Sequence, residues 1–161
     1  MTTLPLIDRH AAETAVALAL PMLDQSRQVK AVGESGFLHI VVMDPARAPG
    51  SCAFEEAILY EYSVGDRSKW DADYAGFARA KAEVSWRSGL DSHVVQTLQP
   101  HRLNAGATLL WGSVCLDGIV VGVSGANAWY DEAFAGAIAL LIRAEAKARW
   151  EQARAKGLFL A

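Results

Sequence analysis

Cysteine is scarce in this 161-residue chain. Cys52 and Cys115 are the only two, they form no C-x-x-C pair, and both stand among apolar or small neighbours. That excludes a disulfide-stapled scaffold and a thiolate metal cluster, and reads as two reduced, buried thiols. An excess of basic charge is missing too. Fifteen Lys and Arg are scattered against 18 Asp and Glu, for a net charge of −3, so the chain lacks the positive field that gathers nucleic acid. Nucleic acid is therefore not an expected partner. Long apolar runs are also lacking: residues 12–23 are too short and too broken to span a bilayer, and "MTTLPLIDRH" has no basic stretch leading into a signal region. A cytoplasmic protein with no membrane partner is the expectation. No H-x-x-x-H, H-E-x-x-H or carboxylate–histidine metal spacing occurs, so a protein-built zinc site is not expected.

What the chain does have is 52% apolar and 20% charged residues over a length suited to one domain, 1–161, able to bury roughly 70% of the surface of its unfolded chain. Residues 6–27 place Ala15, Val16, Leu18, Ala19, Met22 and Leu23 on one helical stripe. Pro21 interrupts it, as a kink or a stop. Phe37 to Met43 is a β-rich apolar run between Gly36 and Asp44-Pro45. In "FEEAILYEYSVG", Phe54, Ile58, Leu59 and Tyr62 suit a helix face while Ile58, Tyr60, Tyr62 and Val64 alternate like a strand, and a strand at 57–64 is the favoured reading. "DADYAGFARAKAEVSWRSG" has a capping Asp71 or Asp73, an alanine-rich interior and a Gly89 stop, with Glu83 four residues from both Arg79 and Arg87. Residues 90–106 form a long connection with at most one short helical turn, a length that is uncommon unless it lines a site. "ATLLWGSVCLDGIVVGVSG" is a hairpin turning at Asp117-Gly118. From Asn127 to about Lys156 runs a helix with Phe134, Ile138, Leu141 and Ile142 on one face and the pairs Glu145–Arg149 and Lys147–Glu151 on another. The order implies an α+β fold, with helices covering an antiparallel sheet.

The strand-to-helix corner "GVSGAN", 122–127, matches neither G-x-S-x-G nor a three-glycine dinucleotide fingerprint, since Ala126 and Ser124 stand where glycines are needed. It leaves free amides at a helix start, capped by Asn127 or open to an anion. Asp131 and Glu132 fall in the first turn, where the helix dipole already favours carboxylates. Lys81 sits in the apolar face of its helix, near Phe77, Ala78, Val84 and Ser85. Its ammonium either snorkels to a carbonyl or water, or faces a ligand anion or a carboxylate such as Asp44. His39 lies on the Phe37–Val41–Met43 face of its strand and reads as a hydrogen-bonded core residue. His93 and His101 share the long connection and are the imidazoles free to meet a metal centre or haem. Trp129, next to the corner, would wall a pocket or a subunit contact.

"HIVVMD", "FARAKAEVSWRSGLDS" and "DGIVVGVSGANAWYDEAFAGAI" together cover about residues 36–142. On these segments the chain resembles the GlcG/HbpS/PduO C-terminal-domain family, and the Trp70-Asp71 approach to the lysine helix is similar to a sister group of short proteins. The resemblance implies a profilin-like, three-layer α/β/α fold, with a central antiparallel sheet of about five strands and helices on both faces. It implies an oligomer that binds haem or a related tetrapyrrole. Matching positions are Asp44, Lys81, Ser92, Gly122, Ser124, Gly125 and Asp131. The family's G-G-x-P loop is replaced by "NAGATLL", and the arginine before its serine turn by Leu90-Asp91.

Three functions follow as alternatives. The first is a ligand-binding protein whose cleft joins the corner, Lys81 and residues 90–106. Its cofactor-binding residues would be Lys81, His93, His101, Ser124 and Gly125, with Asp44, Ser92, Gly122, Asn127 and Asp131 around them. The second is an enzyme on a small organic acid, with Lys81 holding the carboxylate and Asp44 or Asp131 as acid or base. The third is a homo-oligomeric scaffold that buries "KGLFLA" and its tryptophans between subunits.

Overall fold

The computed structural model describes residues 5–157 and residue 159. Helix α1 (Arg9–Ser26) starts where the Asp8 carboxylate accepts the amide of Ala11, and it runs through Pro21 without a break. The continuous helix is possible because Pro21 lies on the exposed side, where water can satisfy the carbonyl that loses its partner. The expected stripe is narrower than the sequence suggests. Ala15, Val16, Ala19 and Leu23 are buried, but Leu18 and Met22 are 60% and 42% exposed.

Strands β1 (Leu38–Met43), β2 (Ile58–Val64), β3 (Ser113–Leu116) and β4 (Ile119–Ser124) form one antiparallel sheet in the order β2-β1-β4-β3. Among the described residues the sheet therefore has four strands where the resemblance implies about five. Every residue of β1 is buried, and its alternate side chains enter two different apolar clusters. Leu38, Ile40 and Val42 join Val121 and Val123 of β4 and residues of α1 and α4 (Ala128–Arg154). Val41 and Met43 join Val120 and the Ala78, Ala82 and Trp86 side chains of α2 (Tyr74–Ser88). A central strand buried on both sides has no solvent-facing side, which is why its sequence reads as an apolar run interrupted only by the hydrogen-bonded His39.

Helix α2 is capped by the Asp73 side chain at Gly76 N and stops at Gly89, in the left-handed region at φ 72°. Glu83 pairs with Arg87 as spaced, but Arg79 turns away to a two-bond contact with Glu61 of β2, each bond 2.7 Å. The 90–106 connection holds more structure than a single turn: helix α3 (Ser92–Leu98) and a 3-10 turn at Pro100–Arg102. The hairpin turns at Asp117 and Gly118, both at positive φ. Its first strand begins only at Ser113.

Two expected details of α4 differ. Asn127 occupies the cap position but its side chain makes no capping bond, reaching Ala31 O at 3.1 Å instead. Neither expected pair, Glu145–Arg149 or Lys147–Glu151, forms among the described residues: Arg149 meets Asp8, at the start of α1, at 2.9 Å, and Glu151 lies 3.9 Å from Arg154 three residues on in the same helix. A charge four residues away competes weakly with one on a neighbouring element that packing already holds in place. Of the "KGLFLA" tail, residues 158, 160 and 161 lie outside the described residues, and Phe159 is 90% exposed. Among the described residues no helix is long and apolar enough to cross a membrane.

Candidate functional site

The site is built where α2 lies on β4. A Cβ on Gly122 would stand 2.7 Å from Ala78 O and 2.9 Å from Ala82 Cβ, so the missing side chain is what lets the helix approach the strand. That approach lowers Lys81 onto the end of β4. Its Nζ donates to Asp131 Oδ2 at 2.8 Å, Val123 O at 3.1 Å and Ser124 Oγ at 3.2 Å. An ammonium has three protons, so this set leaves none for an external anion. Lys81 and Asp131 are 3% and 1% exposed. The lysine neither snorkels to water nor meets Asp44: its anion is supplied by the chain.

Asp131 answers the question posed by the corner as well. Its second oxygen, Oδ1, accepts the Ala126 amide at 2.9 Å, and the Gly125 amide also points to the carboxylate. Asn127 N is taken by Val32 O at 2.9 Å. Corner amides that the sequence leaves open to a ligand thus bind an internal carboxylate, reaching back from one turn into α4. Burial pushes the Asp131 carboxyl up to about 6, against the pull of the Lys81 ammonium and the two amides. Gly112 closes the pair from the β3 side: its Cβ would fall 2.7 Å from Asp131 Cβ and 3.1 Å from Lys81 Nζ.

A buried line of serines continues from the lysine. Ser113 Oγ donates to Lys81 O at 2.6 Å and shares a 2.7 Å contact with Ser85 Oγ. Ser92 Oγ accepts the amides of Gly112 and Ser113, both at 3.2 Å. These contacts tie α3 and β3 to α2. They give Ser92 a structural employment that the sequence does not reveal, and Ser85 and Ser113 carry no local signal beyond being small.

The other predicted positions separate. His39 is buried, with Nδ1 2.8 Å from Ser63 Oγ and Nε2 3.1 Å from Glu61 Oε1, as a core histidine should be; burial pushes its pKa down despite the glutamate. Asp44 lies five residues along β1 from His39, which is level with Ser124, about 17 Å at 3.4 Å per residue. Its carboxylate accepts the Ala46 amide in a turn. His101 is exposed on the 3-10 turn.

His93, by contrast, comes to the corner. Its Nδ1 meets Glu132 Oε2, and its ring centroid lies 5.2 Å from that of Trp111. Consecutive carboxylates on α4 therefore serve two different cations or donors: Asp131 points inward to Lys81, and Glu132 points to the half-exposed His93. Apolar side chains adjacent in the chain to its partners Glu132 and Trp111 stand in the open. Trp129, one turn before Glu132, is 59% exposed, and Leu109 and Leu110, just before Trp111, are 77% and 49% exposed. The role of Glu132 was hidden behind the first-turn place expected for it; only the tertiary placement of α3 against α2 and β3 brings a histidine to it.

No family model, curated protein or solved structure matches the chain.

Proposed function

We propose that this chain is a small-molecule-binding domain of the GlcG/HbpS/PduO C-terminal kind, with His93 as the residue that meets the ligand and haem or a related tetrapyrrole as the ligand class. The observation that carries the reading is the His93–Glu132 pair. A carboxylate on Nδ1 fixes the tautomer and orientation of an imidazole and makes Nε2 a better donor to iron. The ring is 36% exposed at its side chain and lies next to Trp111, an aromatic face that a flat macrocycle would meet. His93 would be the residue that holds a haem iron, through Nε2. Lys81, Ser124 and Gly125 act behind it, holding the first turn of α4 and hence Glu132 in place.

The division of β1 side chains between two clusters supports the profilin-like, three-layer arrangement that goes with this reading. The exposed Leu18, Met22 and Leu140 on α1 and α4 support a homo-oligomer, which light scattering would register as a mass above that of one chain.

Titration of haemin into the apo protein tests the ligand. The expected result is a saturable Soret shift that His93→Ala abolishes, with Glu132→Gln weakening binding by about tenfold or more. An unshifted Soret band in the wild type, or the same shift in His93→Ala, would overturn the assignment. Among the described residues, the enzyme alternative finds Lys81 committed to the chain's own acceptors and Asp44 at the far end of the strand, so no observation favours it.

A further inference from the structure

A pocket open to solvent on one side lies between α2 and the segment 102–108. Two fixed ends make that segment an arch. At one end Arg102 donates from Nη2 to Ser88 O and from Nη1 to Gln99 Oε1, both at 2.9 Å. At the other, the Gln96 amide donates to Thr108 O and Leu110 O, both at 3.0 Å. Between them the chain reverses at Gly106, with Ala107 N donating to Asn104 O at 3.0 Å. An arch pinned at both feet cannot collapse onto the helix beneath it, and it leaves a cavity of about 240 Å³.

Apolar walls come from Val84, Val95 and Ala107, and the charged lining is Arg87, Arg102 and Glu83. Glu83 Oε1 accepts two bonds from Arg87, at 3.0 and 2.8 Å. Two guanidiniums against one carboxylate leave one unbalanced positive charge. The guanidinium that carries the surplus, Arg102, is held by neutral acceptors alone, so an incoming carboxylate would displace no ion pair. At about 30 Å³ per water-sized unit, the space takes on the order of eight non-hydrogen atoms.

We infer that this cavity is a binding site for a small monocarboxylate with a short aliphatic body, its carboxylate on Arg102 and its chain against Val84 and Val95. The site shares no residue with the His93 site and stands or falls separately from it.

Hexanoate, with eight non-hydrogen atoms, is the probe, and hexan-1-ol its uncharged counterpart. Amide chemical-shift mapping of the ¹⁵N-labelled full chain should show saturable hexanoate shifts confined to the lining segments 80–88, 94–96 and 102–108, with hexan-1-ol much weaker. Arg102→Gln should weaken hexanoate binding by at least about tenfold, and Ala107→Phe should abolish it by filling the space; melting temperatures of both variants verify that they remain folded. If either fails to fold, Arg87→Gln, on the exposed face of α2, replaces it with the expectation of a weaker but measurable loss. Equal binding of acid and alcohol, shifts elsewhere in the chain, or unchanged affinity in the folded variants would overturn the inference.

Discussion

Asp131→Ala is expected to destabilise the protein by about 3–5 kcal/mol, because it leaves the Lys81 ammonium buried without its counter-charge. The variant also strips the Ala126 amide of its acceptor, which adds to the loss. Urea denaturation measures the effect directly. Lys81→Met/Asp131→Leu should recover most of it, since two apolar side chains of similar volume leave no charge to solvate; a double variant as unstable as the single one would show that the pair contributes packing geometry that no apolar residue reproduces. Acid titration offers an independent check. The carboxyl is raised in the folded state from an ordinary 3.8 to about 6, so between those values the folded protein binds more protons than the unfolded chain. Stability from this group is then complete below about pH 4 and is lost as pH rises through about 6. Asp131→Asn should flatten that portion of the stability–pH profile, and a profile with the same slope in both proteins would contradict the raised value.

The second large effect belongs to Gly125, where β4 ends. Its φ is 136°, and an added Cβ would stand 1.9 Å from Phe37 O and 2.8 Å from Phe37 C. Both obstacles are backbone of the segment entering β1, which cannot move without breaking the β1–β4 ladder. The close approach is further fixed by Ser35 Oγ, which donates to Gly125 O at 2.5 Å and accepts the Phe37 amide at 3.1 Å. Gly125→Ala should therefore cost about 4 kcal/mol or more, or prevent folding altogether. Gly136→Ala is the matched control: it lies within α4 with nothing within 4 Å of the added Cβ, and should stabilise the protein by about 0.5–1 kcal/mol. Thermal melts of the two variants should shift in opposite directions. A Gly125→Ala protein that melts close to the wild type would mean that the corner is far more compliant than its packing implies.

The two glycines show where sequence reading succeeds and where it stops. Gly89 and the Asp117-Gly118 turn could be assigned in advance because their reasons are local: a helix has to end, and a two-residue hairpin requires positive φ. Gly125 was legible as part of a corner, but its reason is the carbonyl of Phe37, almost ninety residues earlier in the chain. Similarly, Leu18 and Met22 follow the helical period into a stripe that the narrow contact of α1 with its neighbours does not fill. Lys81 was legible as an anomaly, since a charge in an apolar face needs a partner. Its partner was not, because Asp131 already had a sufficient local explanation in the helix dipole, and Asp44 had the same chemistry.

By itself, then, the sequence determined the α+β order of elements, the strand β1, the hairpin, the limits of α2 to within a residue or two, and the place of Lys81 on an apolar helix face. These follow from period, capping and turn chemistry, which act over a few residues. Only the tertiary structure decided which carboxylate Lys81 meets, that the corner amides are closed by Asp131, that Glu132 holds His93, and that an arch over α2 leaves a pocket between Arg87 and Arg102. Each of these depends on distances between segments tens of residues apart, as where α2 packs on the sheet at Gly122 and the chain entering β1 crosses Gly125.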